Sequence, residues 1–312
     1  MQPTPELAGL LEQLQSLRRP PKFKMLVVDD EPDNLDLLYR TFRRQFDVYR
    51  AESGAEALDI LANKGEVAVI ISDQRMPEMK GTEFLSKTVP QFPNTVRIIL
   101  TGFTDVEDLV DAINSGQVYR YITKPWDPEA MKVLVERALN AYRTQCQRID
   151  GVERAETQTD LIQTIFSIAK TASTITDCLE PMAQILGEYA EADTCIFQLT
   201  ANKELTGEPG CYGVEPDALG WLAQDTLVEG ALTTQLPQGC LDVSQDDQLS
   251  GLSHYQEQQI SAHLVFPLVY RQRVLAVLSL QWRQVFPLDE GDLSLLYLAI
   301  QQVILALMCT TV

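Results

Sequence analysis

Positive charge is scarce in this chain, and histidine is almost missing. Its 312 residues carry 25 Lys and Arg against 44 Asp and Glu, for a formal net charge of −19, and 2 histidines. A surface that acidic repels phosphate backbones and anionic lipid, so nucleic acid and membrane surfaces are not expected partners. Arg18, Arg19 and Lys22 are too few to line a nucleic-acid groove. His254 and His263 cannot supply a metal cluster on their own. Cys146, Cys178, Cys195, Cys211, Cys240 and Cys309 lack CxxC or Cys/His ligand spacing, and read as thiols in a reducing compartment. A spanning helix needs about 20 apolar residues; the most apolar stretch, residues 293–308, is shorter and is interrupted by Gln301 and Gln302. The opening MQPTPELAGL has neither a basic n-region nor a continuous apolar h-region, so no secretory leader is expected. These absences predict a cytoplasmic protein without membrane insertion.

What remains is the composition of a globular protein, 45% hydrophobic and 22% charged, long enough for two domains with separate cores. Residues 5–17 place apolar side chains at helical spacing and stop at Arg18-Arg19-Pro20-Pro21, which predicts a short amphipathic helix that docks on the body or, as the alternative, on a partner. Strands follow at 25–28, 48–51, 67–71, 96–100 and 119–122, separated by helices at 35–46, 54–63, 82–88 and 105–114, with a long helix from Pro128. Short apolar strands alternating with helices predict an α/β fold, a five-stranded doubly wound parallel sheet covered on both faces.

In such sheets the binding crevice lies at the carboxyl ends of the strands. Just past those ends stand Asp29, Asp30 and Glu31, then Asp73, then Thr101 and Gly102, then Lys124 and Pro125. Closely packed carboxylates with few other donors suit Mg²⁺, which prefers oxygen and keeps several waters. With such a cation bound, Asp73 can approach a phosphoryl group as a nucleophile. Lys124 and the Thr101 hydroxyl would then face the transferring oxygens.

The stretches LVVDDEPDN (26–34), IISDQRMPEMKGTEFL (70–85), IILTGFTD (98–105) and YRYITKPW (119–126) resemble the CheY-like receiver domains of two-component response regulators. The resemblance implies that Asp73 accepts phosphate from a histidine kinase or a histidine phosphotransfer protein. It implies Asp29 and Asp30 as metal acids, Asp30 more directly, with the Arg75 carbonyl as a further ligand. Lys124 would pair with the phosphoryl group, while Thr101 and Tyr121 would form the switch. Arg75 and Phe103 would tune access of hydrolytic water, and the face from about 105 to 142 would be a dimerisation or partner surface.

Beyond Pro128, helical character is expected to about 148, to pause at Asp150-Gly151 and to resume over 157–170, with a second helix at 176–191. A strand at 194–199, a hairpin of 263–270 and 274–282 around Arg271-Gln272-Arg273, and a final helix at 293–308 give α+β patterning. TDLIQTIFSIAKTASTITDCLEPMAQIL, AHLVFPLVYRQRVLAVLSL and FPLDEGDLSLLYLAIQQVILAL resemble the GAF family over about 158–310. GAF modules bind small ligands or dimerise. The stretch 247–255 before the HLVFPL strand contains no cysteine, and Cys211 and Cys240 are off that position, so a covalent bilin is not expected; a non-covalent ligand stays open.

The expected organisation is an N-terminal extension (1–22), a receiver (23–145), a helical connector (146–160) and a GAF-like domain (158–312). The expected function is that of a non-enzymatic, homodimeric response regulator. Mg²⁺-dependent phosphorylation of Asp73 would switch dimer or partner contacts through the GAF-like domain. Two alternatives remain: a phosphate sink or relay docked by that domain, or a GAF small-molecule sensor gating the receiver.

Overall fold

The computed structural model describes residues 5–17, 22–102, 118–215 and 219–309. The chain divides into two compact units, Pro20–Glu153 and a second that joins Met1–Arg19 to Arg154–Val312. After a short 3-10 turn come α1 (Ala8–Leu17), β1 (Phe23–Val28), α2 (Pro32–Phe42), β2 (Phe46–Ala51), α3 (Gly54–Lys64), β3 (Val69–Asp73), α4 (Gly81–Thr88), β4 (Val96–Thr101), β5 (Arg120–Thr123) and α5 (Pro128–Thr171).

The first unit is a five-stranded sheet in the order β2-β1-β3-β4-β5, parallel throughout. Successive side chains of a strand point to opposite faces. Met25, Val27, Val69, Ile71, Ile98 and Leu100 therefore enter one core with α2 and α5, while Leu26, Val28, Ile70 and Ile99 enter another with α3 and α4. Because both faces are covered, the strands read as apolar runs, as the sequence predicts for a parallel sheet. The expected helix over 35–46 stops at Phe42, and Phe46 opens β2 instead, its ring edge-on to Phe42 with centroids 6.1 Å apart. The expected helix at 105–114 and Phe103 lie outside the described residues, as does part of the face from 105 to 142.

The second unit continues with α6 (Ile175–Tyr189), β6 (Thr194–Ala201), β7 (Glu204–Tyr212), α7 (Thr226–Thr234), β8 (Gln238–Cys240), α8 (Asp247–Ser250), α9 (Ser253–Glu257), β9 (Ala262–Tyr270), β10 (Arg273–Trp282) and α10 (Glu290–Cys309). Its antiparallel sheet runs β7-β6-β10-β9-β8. Arg271 and Gln272 turn the β9–β10 hairpin with φ of 48° and 62°, and Asn202 and Lys203 turn β6 into β7 with 53° and 67°, the left-handed pairs of a two-residue hairpin loop. One face packs on Leu161 and Ile165 of α5, on α6, and on α10 through Leu293, Leu296, Ile300 and Val303. By length and composition α10 could cross a membrane, but half of its apolar window is buried in this core.

In the connector and the second unit the structure corrects or sharpens the expectations. No break occurs at Asp150-Gly151, where α5 is continuous. A glycine costs a helix about 1 kcal/mol relative to alanine, which the good helix formers around it outweigh. β7 is absent from the expectations because Gly207, Pro209 and Gly210 argue against a strand interior, yet Gly210 is required there: an added Cβ would strike the backbone of Leu179 and Glu180. The N-terminal helix does dock on the body, but on this second unit: Leu7, Leu10, Leu11 and Leu14 belong to its core.

Candidate functional site

The carboxyl ends of β1, β3, β4 and β5 bring Asp29, Asp73, Thr101 and Lys124 to one rim. Asp29 follows β1 directly and is fully buried, with its charge met by three donor groups through four contacts. Its oxygens accept from the Glu31 N–H at 3.0 Å, from Asn34 Nδ2 at 3.1 Å to each oxygen, and from Lys124 Nζ at 3.0 Å. Asp73 ends β3 with 6% of its surface exposed; its Oδ1 contacts the same Lys124 ammonium and its Oδ2 accepts the Arg75 N–H at 2.7 Å. One lysine thus sits across two carboxylates.

Burial pushes the Asp73 carboxyl above its usual range, against the lowering pull of Lys124 and the Arg75 N–H. Burial alone would lower Lys124, but its contacts with Asp73 and Asp29 carry it upward, so the ammonium stays charged. Thr101 is buried, its hydroxyl donating to the Gly102 carbonyl at 3.1 Å. Asp30 and the Arg75 side chain face outward, and Tyr121, on the register of Ile99, is 39% exposed.

Two residues that shape the rim carry no role in the sequence reading. Gln74 is buried and closes the loop after β3, accepting the Thr82 N–H at its side-chain oxygen (3.1 Å) and the Gly81 N–H at its carbonyl (3.1 Å). Gly81 is required at that contact, since an added Cβ would run into the Asp73 carbonyl oxygen. Their signal is local: a glycine opening α4 eight residues after the acid.

The two histidines gather around the same neighbours in the second unit, Asp225 and Trp221. His263 is wholly buried, its Nδ1 2.7 Å from the Tyr255 hydroxyl and its Nε2 2.8 Å from Ser279 Oγ, which also accepts from Gln281 Nε2 at 2.8 Å. His254 Nε2 lies 3.1 Å from Asp225 Oδ2, and its ring stacks on Trp221 with centroids 4.5 Å apart. Asp225 also caps α7, accepting from the Leu227 and Val228 N–H groups. Among the described residues no group of three or more His, Cys, Asp or Glu is placed to hold a metal. Cys240 pairs with His263 across β8 and β9, and burial pushes its thiol up.

Residues 25–136 match the response regulator receiver domain family, and residues 174–307 match the GAF domain family. The hydrogenase transcriptional regulatory protein HoxA of Cupriavidus necator is 40% identical over 121 residues, 39% of this chain and 25% of that protein. Transcriptional regulatory protein GlrR of Escherichia coli is 39% identical over 116 residues, 37% of this chain and 26% of that protein. This chain therefore covers only about a quarter of the length of these two relatives. A chemotaxis protein CheY homolog of Campylobacter jejuni is 34% identical over 120 residues, 37% of this chain but 92% of that protein. A likeness spanning nearly the whole of a single-receiver relative falls on the sheet that builds the acid–lysine rim, and the chain belongs to the response regulators of two-component systems, a receiver domain followed by a GAF domain.

Proposed function

We propose that Asp73 accepts a phosphoryl group from a histidine kinase or a histidine phosphotransfer protein, and that its phosphorylation switches homodimer or protein-partner contacts through the GAF domain. The observation that carries this reading is the convergence of the Asp29 and Asp73 carboxylates on one ammonium, Lys124. An Asp73 oxygen attacks phosphorus, a P–O bond forms, and the P–N bond of phosphohistidine breaks with its electrons returning to the imidazole. Lys124 would offset charge on the transferring oxygens, and the Thr101 hydroxyl, at the neighbouring strand end, would turn from the Gly102 carbonyl to meet one of them. Asp29, held by the Glu31 N–H and Asn34 Nδ2, keeps Lys124 in reach of Asp73.

The donor types suit Mg²⁺, although no three of these acids are already grouped as a metal cage: Lys124 stands between Asp29 and Asp73. Two carboxylates already share one cationic atom, Asp30 faces outward beside them, and Mg²⁺ takes one or two carboxylates while retaining waters. Asp29, Asp30, Asp73 and the Arg75 carbonyl would hold it, and it would supply charge neutralisation between the acids and the incoming phosphoryl group. The receiver assists only its own phosphotransfer and dephosphorylation, so the protein is a switch rather than an enzyme acting on other substrates. A net charge of −19 favours output through protein contacts over nucleic acid, in a cytoplasmic setting where the kinase is found.

Incubating the full chain with Mg²⁺ and acetyl phosphate is expected to add an acid-labile mass of about 80 Da, one phosphoryl group. Asp73→Ala should abolish the adduct and Lys124→Ala should slow its formation. An adduct that persists in Asp73→Ala sinks the assignment. Size-exclusion with light scattering on the phosphorylated protein tests the change in assembly.

A further inference from the structure

The helix that precedes the receiver in sequence does not belong to the receiver. Leu7, Leu10, Leu11 and Leu14 recur at helical spacing, and all four are 7% exposed or less in the core of the GAF unit. The slot that takes them is shaped for a helix. Gly239 of β8 has no side chain where an added Cβ would come within 3.0 Å of Leu10 Cδ2 and would strike Leu264. Two polar contacts orient the helix: Gln13 Nε2 donates to the Gly239 carbonyl at 3.1 Å, and Gln15 Nε2 donates to Glu290 Oε1 of α10 at 2.9 Å.

Burial of the leucines, rather than polar contact, holds the helix in this seat. Both polar contacts are exposed to solvent. A ten-residue helix has little stability of its own in water, so α1 holds its form through those leucines, and ordering the segment offsets much of what their burial provides. β8, which supports it, is a three-residue strand at the edge of the sheet. The chain then runs through Arg18-Arg19-Pro20-Pro21-Lys22 into β1, whose far end delivers Asp29 to the rim. The GAF unit therefore anchors both ends of the receiver segment, one through α1 and the other through α5.

We propose that α1 is a strap whose seat on the GAF unit is emptied when the receiver is phosphorylated, so that the receiver acts on the GAF unit through its N-terminal connection as well as through α5. The strap's docking face is the groove of Gly239, Leu264 and the start of α10. This rests on Asp73 being the phosphoacceptor.

Hydrogen–deuterium exchange on the full chain, with and without beryllofluoride and Mg²⁺ as the phosphoryl mimic, tests it. Protection around Asp73 reports binding at the rim. The strap predicts that exchange of residues 8–17 and 238–240 then speeds by about fivefold or more. A flexible Gly-Ser insert of about ten residues between Arg19 and Pro20 should leave α1 docked and the rim protected but abolish that speeding. Rim protection with unchanged exchange in α1, or a speeding that survives the insert, overturns the strap and leaves Asp73 standing. No rim protection removes the reading of Asp73, and the strap with it.

Discussion

His263 makes the GAF unit lose stability in mild acid. The imidazole is enclosed between the Tyr255 hydroxyl at Nδ1 and the Ser279 hydroxyl at Nε2, partners that a neutral ring satisfies with one nitrogen donating and the other accepting. Burial holds its pKa down to about 4, with nearby His254 adding to the lowering and Asp225 opposing it. The folded value lies below the ordinary one near 6.5, so as pH falls the unfolded chain takes up the proton first. The contribution to stability is therefore complete above about pH 6.5 and is lost progressively toward pH 4. Linkage gives a loss of about 2 kcal/mol by roughly pH 5 and about 3 kcal/mol at saturation. Equilibrium urea unfolding, followed by the fluorescence of Trp221 and Trp282 with Trp126 replaced by Phe, measures it between about pH 7.5 and pH 5. His263→Gln can keep a donor and an acceptor without titrating, and should flatten the slope by that amount. Equal slopes in both proteins would refute the reasoning.

Gly81→Ala should destabilise the receiver by about 1–3 kcal/mol, the usual cost of overpacking, because its Cβ meets the Asp73 carbonyl. Its phosphorylation rate with acetyl phosphate should fall as well, while Gly151→Ala, where an added Cβ meets nothing within 4 Å, should leave that rate unchanged. Trp282→Phe removes the indole that donates to the Ala190 carbonyl at 3.0 Å and packs edge-on against Phe286 at 5.0 Å. Leaving a buried carbonyl unpaired and a void beside it should cost about 2–4 kcal/mol in the GAF unit, read as a lower urea midpoint with receiver phosphorylation intact.

The receiver rim was legible because its chemistry follows from chain order. In a parallel sheet each apolar strand delivers the next polar residue to the same edge, so Asp29, Asp73, Thr101 and Lys124 could be grouped without coordinates. What chain order does not carry is which of these touch. Asp29, rather than the outward Asp30, bonds Lys124, and Asn34 reaches back from the first turn of α2 to hold it. In the antiparallel sheet the same reasoning fails. His263 lies opposite Gln281 and diagonal to Ser279 only because β9 and β10 pair in that register, with Leu264, Leu278 and Leu280 on the other face. As isolated letters, two histidines offered no reason to expect a network.

The two buried polar groups also differ in what they leave unfinished. In the GAF unit Ser279, His263, Tyr255 and Gln281 satisfy one another inside a closed core, an arrangement that fixes the register of β9 on β10 and resists protonation. At the rim the acids are satisfied by a lysine that is 28% exposed, beside an outward Asp30, so water reaches contacts that the proposed phosphoryl group would have to displace. Reactivity needs that incompleteness, and rigidity needs its opposite. On the proposed reading, a phosphoryl group on Asp73 has two covalent routes into the GAF core, α1 and α5, whose leucines and isoleucine are already seated there.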